Sequence, residues 1–204
     1  MRLLRTTFFQ WLACAVLLAG AGGWAAAQEV DVATVKFTNL RAPNGGPGNW
    51  LEADIALNVR PAPGSPGLMV SRVRVSLLVG CELPALAGGE HRTEYYRAWA
   101  ECVALEAGRA DVRFYLPPEI VKRDQLHGDP KYWQVEVIVG GRAQTMGRAG
   151  SSPALATAEA RSNFLARNSA AAAPNDGLLL PQYLTPFAGE YPRATPSFVR
   201  REPR

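Results

Sequence analysis

Nucleophilic and acid–base catalysis need a histidine, thiol or hydroxyl held against a partner that moves its proton, and this sequence offers few such sets. Its two histidines, His91 in GGEHRTE and His127 in QLHGDP, both fall in polar loops, the usual setting of a solvated side chain. No GxSxG nucleophile elbow is present. Cys81 falls at an inward-facing strand position, where a thiol is inert. Glu52 and Asp54, two apart on one strand, would hold their carboxylates ~6–7 Å apart. That spacing overlaps a glycoside hydrolase pair, but such enzymes set the two acids on opposite sides of a cleft. Two acids on one wet strand face serve solubility instead. Asp124 and Asp129 lack the repeated ligand spacing of a calcium loop, and the cysteines and histidines lack zinc spacing. The expectation is a non-enzymatic protein with no catalytic residue, no metal and no cofactor.

Aromatic residues give the stronger hint of binding. Trp50, Trp99 and Trp133 stand among Tyr95, Tyr96, Tyr115 and Tyr132. By strand parity Trp50 and Tyr115 face away from the core, as candidates to stack on a sugar ring or anchor a protein partner. Trp133 faces inward and reads as core. Near the end of the chain Leu178, Leu179, Leu180, Tyr183, Leu184 and Phe187 interrupt a tail holding Pro174, Pro181, Pro186, Pro192, Pro196 and Pro203. Prolines oppose regular structure there, yet such apolar residues are not those of a solvated linker. Tyr183 and Phe187 are therefore candidate binding residues of an extended arm, residues 169–204. The arm would dock on its own domain or in a partner's groove or sheet edge.

These candidates must be positioned by strands. In NWLEADIALNVR, residues 49–60, the positions Leu51, Ala53, Ile55, Leu57 and Val59 are apolar while Glu52, Asp54, Asn58 and Arg60 alternate with them. Val73 to Cys81, Val112 to Leu116 and Trp133 to Val139 repeat that period of two, the pattern of antiparallel strands with one buried and one wet face. Val30 and Val32 stand on one phase and Val35 and Phe37 on the other, which predicts a bulge near Ala33-Thr34. The stretch 93–108 mixes helix-favouring and strand-favouring residues and is read as a strand. Its turn, Glu106-Ala107-Gly108-Arg109, leads into the next strand as a hairpin. With Gly/Pro punctuation between runs, six strands and a seventh near Ala143 to Met146 make an all-β, immunoglobulin-like antiparallel sandwich over 28–150. A short helix is expected over 151–168, with Ser152 as N-cap and Pro153 at the first helical position.

The chain is 204 residues long, enough for one such domain with extensions. Residues 1–27 combine Arg2 and Arg5, an apolar run from Phe8 to Ala21 and small residues ending in Ala25-Ala26-Ala27. That is the layout of a secretory signal peptide cleaved before Gln28. The alternatives are an uncleaved membrane anchor, disfavoured by its Gly/Ala-rich last third, and lipid attachment at Cys14, disfavoured by Trp11 and a short apolar run. Cleavage leaves no transmembrane segment and implies the periplasm or the cell surface. It also leaves 20 basic against 18 acidic residues, an excess too small to argue for nucleic acid. Cys81 and Cys102 remain as a candidate disulfide, two thiols in an oxidising compartment. If their strands run antiparallel as neighbours, the two lie ~30 Å apart, far beyond bridging distance; two buried free thiols are the alternative.

GGPGNWLEADIAL at 45–57, FYLPPEIVKRD at 114–124, YWQVEVIVGG at 132–141 and NDGLLLPQYLTPF at 175–187 together carry a resemblance. The sequence resembles a family of exported, pilus-associated proteins of verrucomicrobial-type bacteria, whose immunoglobulin-like domain is compared with archaeal type IV pilins. The resemblance implies a structural or protein–protein interaction module of the envelope, joined to other envelope or pilus-like proteins, or to further copies of itself, through strand edges or the arm. A carbohydrate or mucin adhesin using Trp50 and Tyr115 is the second expectation.

Overall fold

The computed structural model describes residues 29–64, 66–85, 89, 92–145, 147–192 and 195–200. The expected signal peptide and His91 lie outside the described residues. Eight strands form two antiparallel sheets: β1 (Val30–Leu40), β2 (Trp50–Val59), β5 (Gly108–Leu116) and β8 (Leu180–Pro181) make sheet A, in that spatial order. Sheet B runs β4 (Thr93–Glu106), β3 (Met69–Glu82), β6 (Tyr132–Val139) and β7 (Arg142–Ala143). The protein is an all-β sandwich. Strands β1, β2 and β5 correspond to A, B and E of an immunoglobulin domain, and β3, β6 and β7 to C, F and G. The fourth strand pairs with β3 over thirteen registered positions and so lies where C′ lies, not D.

Burial follows the alternation. Leu51, Ala53, Ile55, Leu57 and Val59 meet Val73, Val75, Leu77 and Val79 across the core, with Val112, Phe114, Val135 and Val137 beside them. The β1 register shifts between Val32 and Thr34, at the expected bulge. The extra residue turns Val35 and Phe37 inward after Val30 and Val32, and both pack on the core. The stretch 93–106 is a strand, and Gly108 turns its hairpin at φ 114, a conformation open to glycine. Trp133 is partly buried against the core, its ring 6.0 Å from Phe37.

The second half departs from expectation in three places. Pro117-Pro118 opens a helix, α1 (Pro118–Arg123), where a turn was expected; proline at the first helical position loses no hydrogen bond. Ser152 stands at the N-cap position of a three-residue 3-10 helix, Pro153–Leu155, with Pro153 first, but its side chain makes no cap bond. Its N–H donates to the Trp133 carbonyl at 2.9 Å and its Oγ faces the Trp133 N–H at 3.5 Å, so it extends the pairing on β6. The helix proper, α2 (Ala158–Ala171), is capped by Thr157, whose Oγ1 accepts from Ala160 N–H at 3.1 Å. Finally, the described tail residues from 169 on are folded. They complete α2, make three-residue 3-10 turns at Ala173–Asn175 and Gln182–Leu184, and supply β8. Residues beyond 150 pack with the sheets: Leu179 belongs to the central core and Leu155 to a cluster under α2.

Helix α2 rests on the outer face of sheet B because Gly80 lets it. A β-carbon at that position would come within 3.1 Å of Phe164 and 3.3 Å of both Tyr132 and Tyr95. A glycine inside a strand here marks a close approach, and the Phe164 ring fills the space.

Candidate functional site

Two of the four aromatic residues expected to bind a partner are consumed by the fold, and the other two are half-covered. Tyr115 on β5 is fully buried, and Phe187 from the tail stacks on it with centroids 4.4 Å apart and planes 4° from parallel. Trp50 packs edge-on to both, at 6.4 Å and 5.7 Å. Ala42 and Leu40 close this second cluster. Tyr183 is half-buried, its ring 5.3 Å from Phe198. The arm thus docks on its own domain, covering outward positions that alternation assigns to water.

Pairing fixes the arm to the sheets at two points. Leu180 and Pro181 join the outer edge of β5 opposite Tyr115 and Phe114. Ser197 and Val199 bond the outer edge of β4, Val103 N–H to Ser197 O and Val199 N–H to Glu101 O, each at 2.8 Å. Between them Gln182, 1% exposed, donates through Nε2 to the carbonyls of Phe187 and Glu190 at 2.9 and 3.0 Å, while its Oε1 accepts from Thr195 at 3.3 Å. A buried amide satisfied on both ends holds a loop to one shape.

Beneath the arm lies a charged strip. Glu52 accepts a 2.7 Å bond from the Tyr115 hydroxyl. Register sets Lys36, Asp54 and Arg113 side by side on β1, β2 and β5, and Arg113 lies 3.3 Å from both Asp54 and Asp111. Tyr191 lies over the Arg113 guanidinium at 4.3 Å. Burial pushes the Glu52 and Asp54 carboxyls above their ordinary values, against the pull of the Tyr115 hydroxyl on Glu52 and of Arg113 on both. Burial likewise raises Tyr115, as does its bond to Glu52. Glu52 is therefore not the wet-face carboxylate the sequence suggests: at 8% exposure it is part of the arm's seat.

A second polar cluster ties the tail to α1. Asp124, 2% exposed, accepts from the Tyr96 hydroxyl and from Arg123 at 2.7 and 2.8 Å. Arg123 also donates to Asn175 Oδ1 at 3.2 Å, and Asn175 Nδ2 donates to Glu94 and to the Tyr95 carbonyl. Burial works to raise Asp124, but the Arg123 and Tyr96 bonds outweigh it and hold the carboxyl below its usual value. Asp124 is thus occupied, while Asp129 and His127 are exposed on the same loop.

The candidate disulfide does not form. Cys102 pairs with Val73 and Cys81 with Glu94, eight positions apart along β3, or ~26 Å at the rise of a strand. Both are buried free thiols, and burial pushes each up to about 12.

Among the described residues, two open surfaces bear on binding. On sheet A the β1 edge from Thr34 to Leu40 has no strand paired on it among the described residues, with Lys36 exposed along it. On sheet B a groove of about 1140 Å³ runs beside β4, between the sheet's outer face and the tail from Asp176 to Leu184. Trp99 lines it at 41% exposure and Leu184 at 45%. The sequence names Trp99 among its aromatic residues, but the expected binding positions were Trp50 and Tyr115, and the tail covers those instead.

No family model and no curated protein matches this chain. Among solved structures, the crystal structure of a protein from Akkermansia muciniphila superposes with a TM-score of 0.66 at 17% identity, covering 85% of this chain and 94% of that one. The chain shares its fold with a verrucomicrobial protein. That likeness spans the tail as well as the sheets, since 85% of 204 residues exceeds the stretch from β1 to β7.

Proposed function

We propose that this chain is an exported, non-enzymatic envelope protein that joins a pilus-like assembly by strand pairing on the β1 edge. The open backbone from Thr34 to Leu40 is the observation that carries this reading. The other long edges are occupied in part: β8 pairs with β5 at Phe114 and Tyr115, Ser197 and Val199 bond β4 at Val103 and Glu101, and β7 pairs with β6 at Ile138 and Val139. An uncovered edge strand offers a row of N–H and C=O groups to a partner's strand, and proteins that avoid such pairing guard the edge with charge or bulges. Here the bulge lies before Thr34 and the only charge beyond it on β1 is Lys36. Pro181, lacking an N–H, makes β8 a poor template for a further strand.

The likeness to a verrucomicrobial fold and the signal-like layout of residues 1–27 support this setting. Amino-terminal sequencing of the protein recovered from the envelope tests export, with Gln28 as the expected first residue. For the edge, a photo-crosslinking residue at Lys36 is compared with one at Asn58, exposed on β2 away from that edge. Adducts to a pilus-like envelope protein or a second copy from position 36 alone are expected. Equal adducts from both positions, or none, contradict the assignment.

A further inference from the structure

The register places Trp99, Ser76 and Glu136 in one row across β4, β3 and β6 on the outer face of sheet B. Adjacent strands are ~4.8 Å apart, so an indole and a carboxylate stand ~10 Å apart with only a serine side chain between them. The small residue leaves a trough. In the next row towards α2, Arg97 is bound to Asp176 of the tail through two bonds of 2.7 and 2.8 Å. On the opposite side the Arg74 guanidinium lies 4.8 Å from the Trp99 ring centroid and forms an ion pair with Glu101 at 3.7 Å. Arg74 thus braces the indole from the side away from the groove.

We propose that this groove binds a neutral carbohydrate, with Trp99 against the C–H face of a sugar ring and Arg97, Asp176, Ser76 and Glu136 at its hydroxyls. The chemistry favours that class for two reasons. A large aromatic surface beside a few fixed polar groups suits a ligand with an apolar face and a polar rim. The Arg97–Asp176 pair is planar and charge-neutral, with N–H groups and lone pairs left over, and can both donate to and accept from neighbouring hydroxyls. No excess of positive charge faces the groove, since Arg97 is matched by Asp176 and Glu136 adds an acid; anionic glycans and phosphates lack a counter-charge. The groove and the β1 edge lie on different sheets, so this site and the strand-pairing reading fail separately.

The purified full chain is screened on an array of immobilised glucose-, galactose-, mannose- and N-acetylhexosamine-terminated oligosaccharides, and the best of them is titrated by calorimetry. Trp99→Ala should weaken that affinity about tenfold or more, and Trp99→Phe, which keeps an aromatic face in place, should lose less. Glu136→Gln serves as the second variant where Trp99→Ala lowers stability, and a several-fold loss is expected. An array blank for neutral saccharides, binding confined to sulfated or sialylated glycans, or an affinity unchanged in the folded variants would overturn the proposal.

Discussion

On sheet A the outward side chains Trp50, Glu52, Arg113 and Tyr115 lie beneath the C-terminal tail, whereas on sheet B the outward Ser76, Arg97 and Trp99 line an open groove. Both faces carry the same alternation of apolar and polar residues, so alternation alone assigns both to water. The chain's own tail decides between them. Where it lies down, a polar face becomes a second small core with its charges paired; where it passes alongside, it builds one wall of a groove. The contrast separates residues that the tail buries from residues that line an open groove.

Substitutions at the two aromatic positions test the contrast with the largest effect. Phe187→Ala removes a ring stacked between Tyr115 and Trp50 and should cost about 3 kcal/mol, lowering Tm on the order of 10 °C. Trp99→Ala should stay within ~0.5 kcal/mol, as surface changes do. Equal losses in thermal melts would mean the two faces are not different in kind.

The polar clusters give the next effect. Tyr96→Phe leaves Asp124 with Arg123 but without its buried hydroxyl partner, a change of about 1–2 kcal/mol by chemical denaturation. Asp124 and Glu52 respond to pH with opposite signs. Asp124 has its carboxyl lowered in the fold, so its contribution is present above the ordinary value of 3.8 and is lost as pH falls through the lowered one. Glu52 is raised, so the folded state binds its proton more tightly than the unfolded state does. The stability linked to that proton is present below the ordinary value of 4.5 and is lost as pH rises through the folded value. Glu52→Gln keeps an acceptor for Tyr115 and should flatten the fall in stability as pH rises above about 4.5; a profile unchanged by the substitution would place Glu52 in water after all. The smallest expected effect is none. Reductant should leave Tm unaltered, and thiol reagents should reach Cys81 and Cys102 only after unfolding, because both are buried and raised to about 12.

Much of the sandwich was legible in the sequence. A period of two marks inward residues whatever they pack against, and the change of phase between Val32 and Val35 located the β1 bulge. The antiparallel order of β3 and β4 was enough to keep Cys81 from Cys102. Less legible was what covers an outward face, because that depends on contacts such as Tyr115 to Phe187, 72 positions apart along the chain. The signals were separate but present: aromatic residues facing outward on β2 and β5, and an apolar tail with no surface of its own. Helix α1 was also readable, with Pro118 first, Glu119 in its first turn and Lys122 and Arg123 in its last. Gly80 inside a strand likewise marked the place where Phe164 comes close. The groove beside β4 was least legible, since it exists only once the tail has been laid there.

The tail is built into the sandwich, and native-state hydrogen exchange measures this most directly. Amides of Leu179, Thr185 and Phe187 should exchange with protection close to that of Leu57 on β2 and Val112 on β5. Exchange of the tail as fast as an unstructured peptide, while β2 and β5 stay protected, would contradict it.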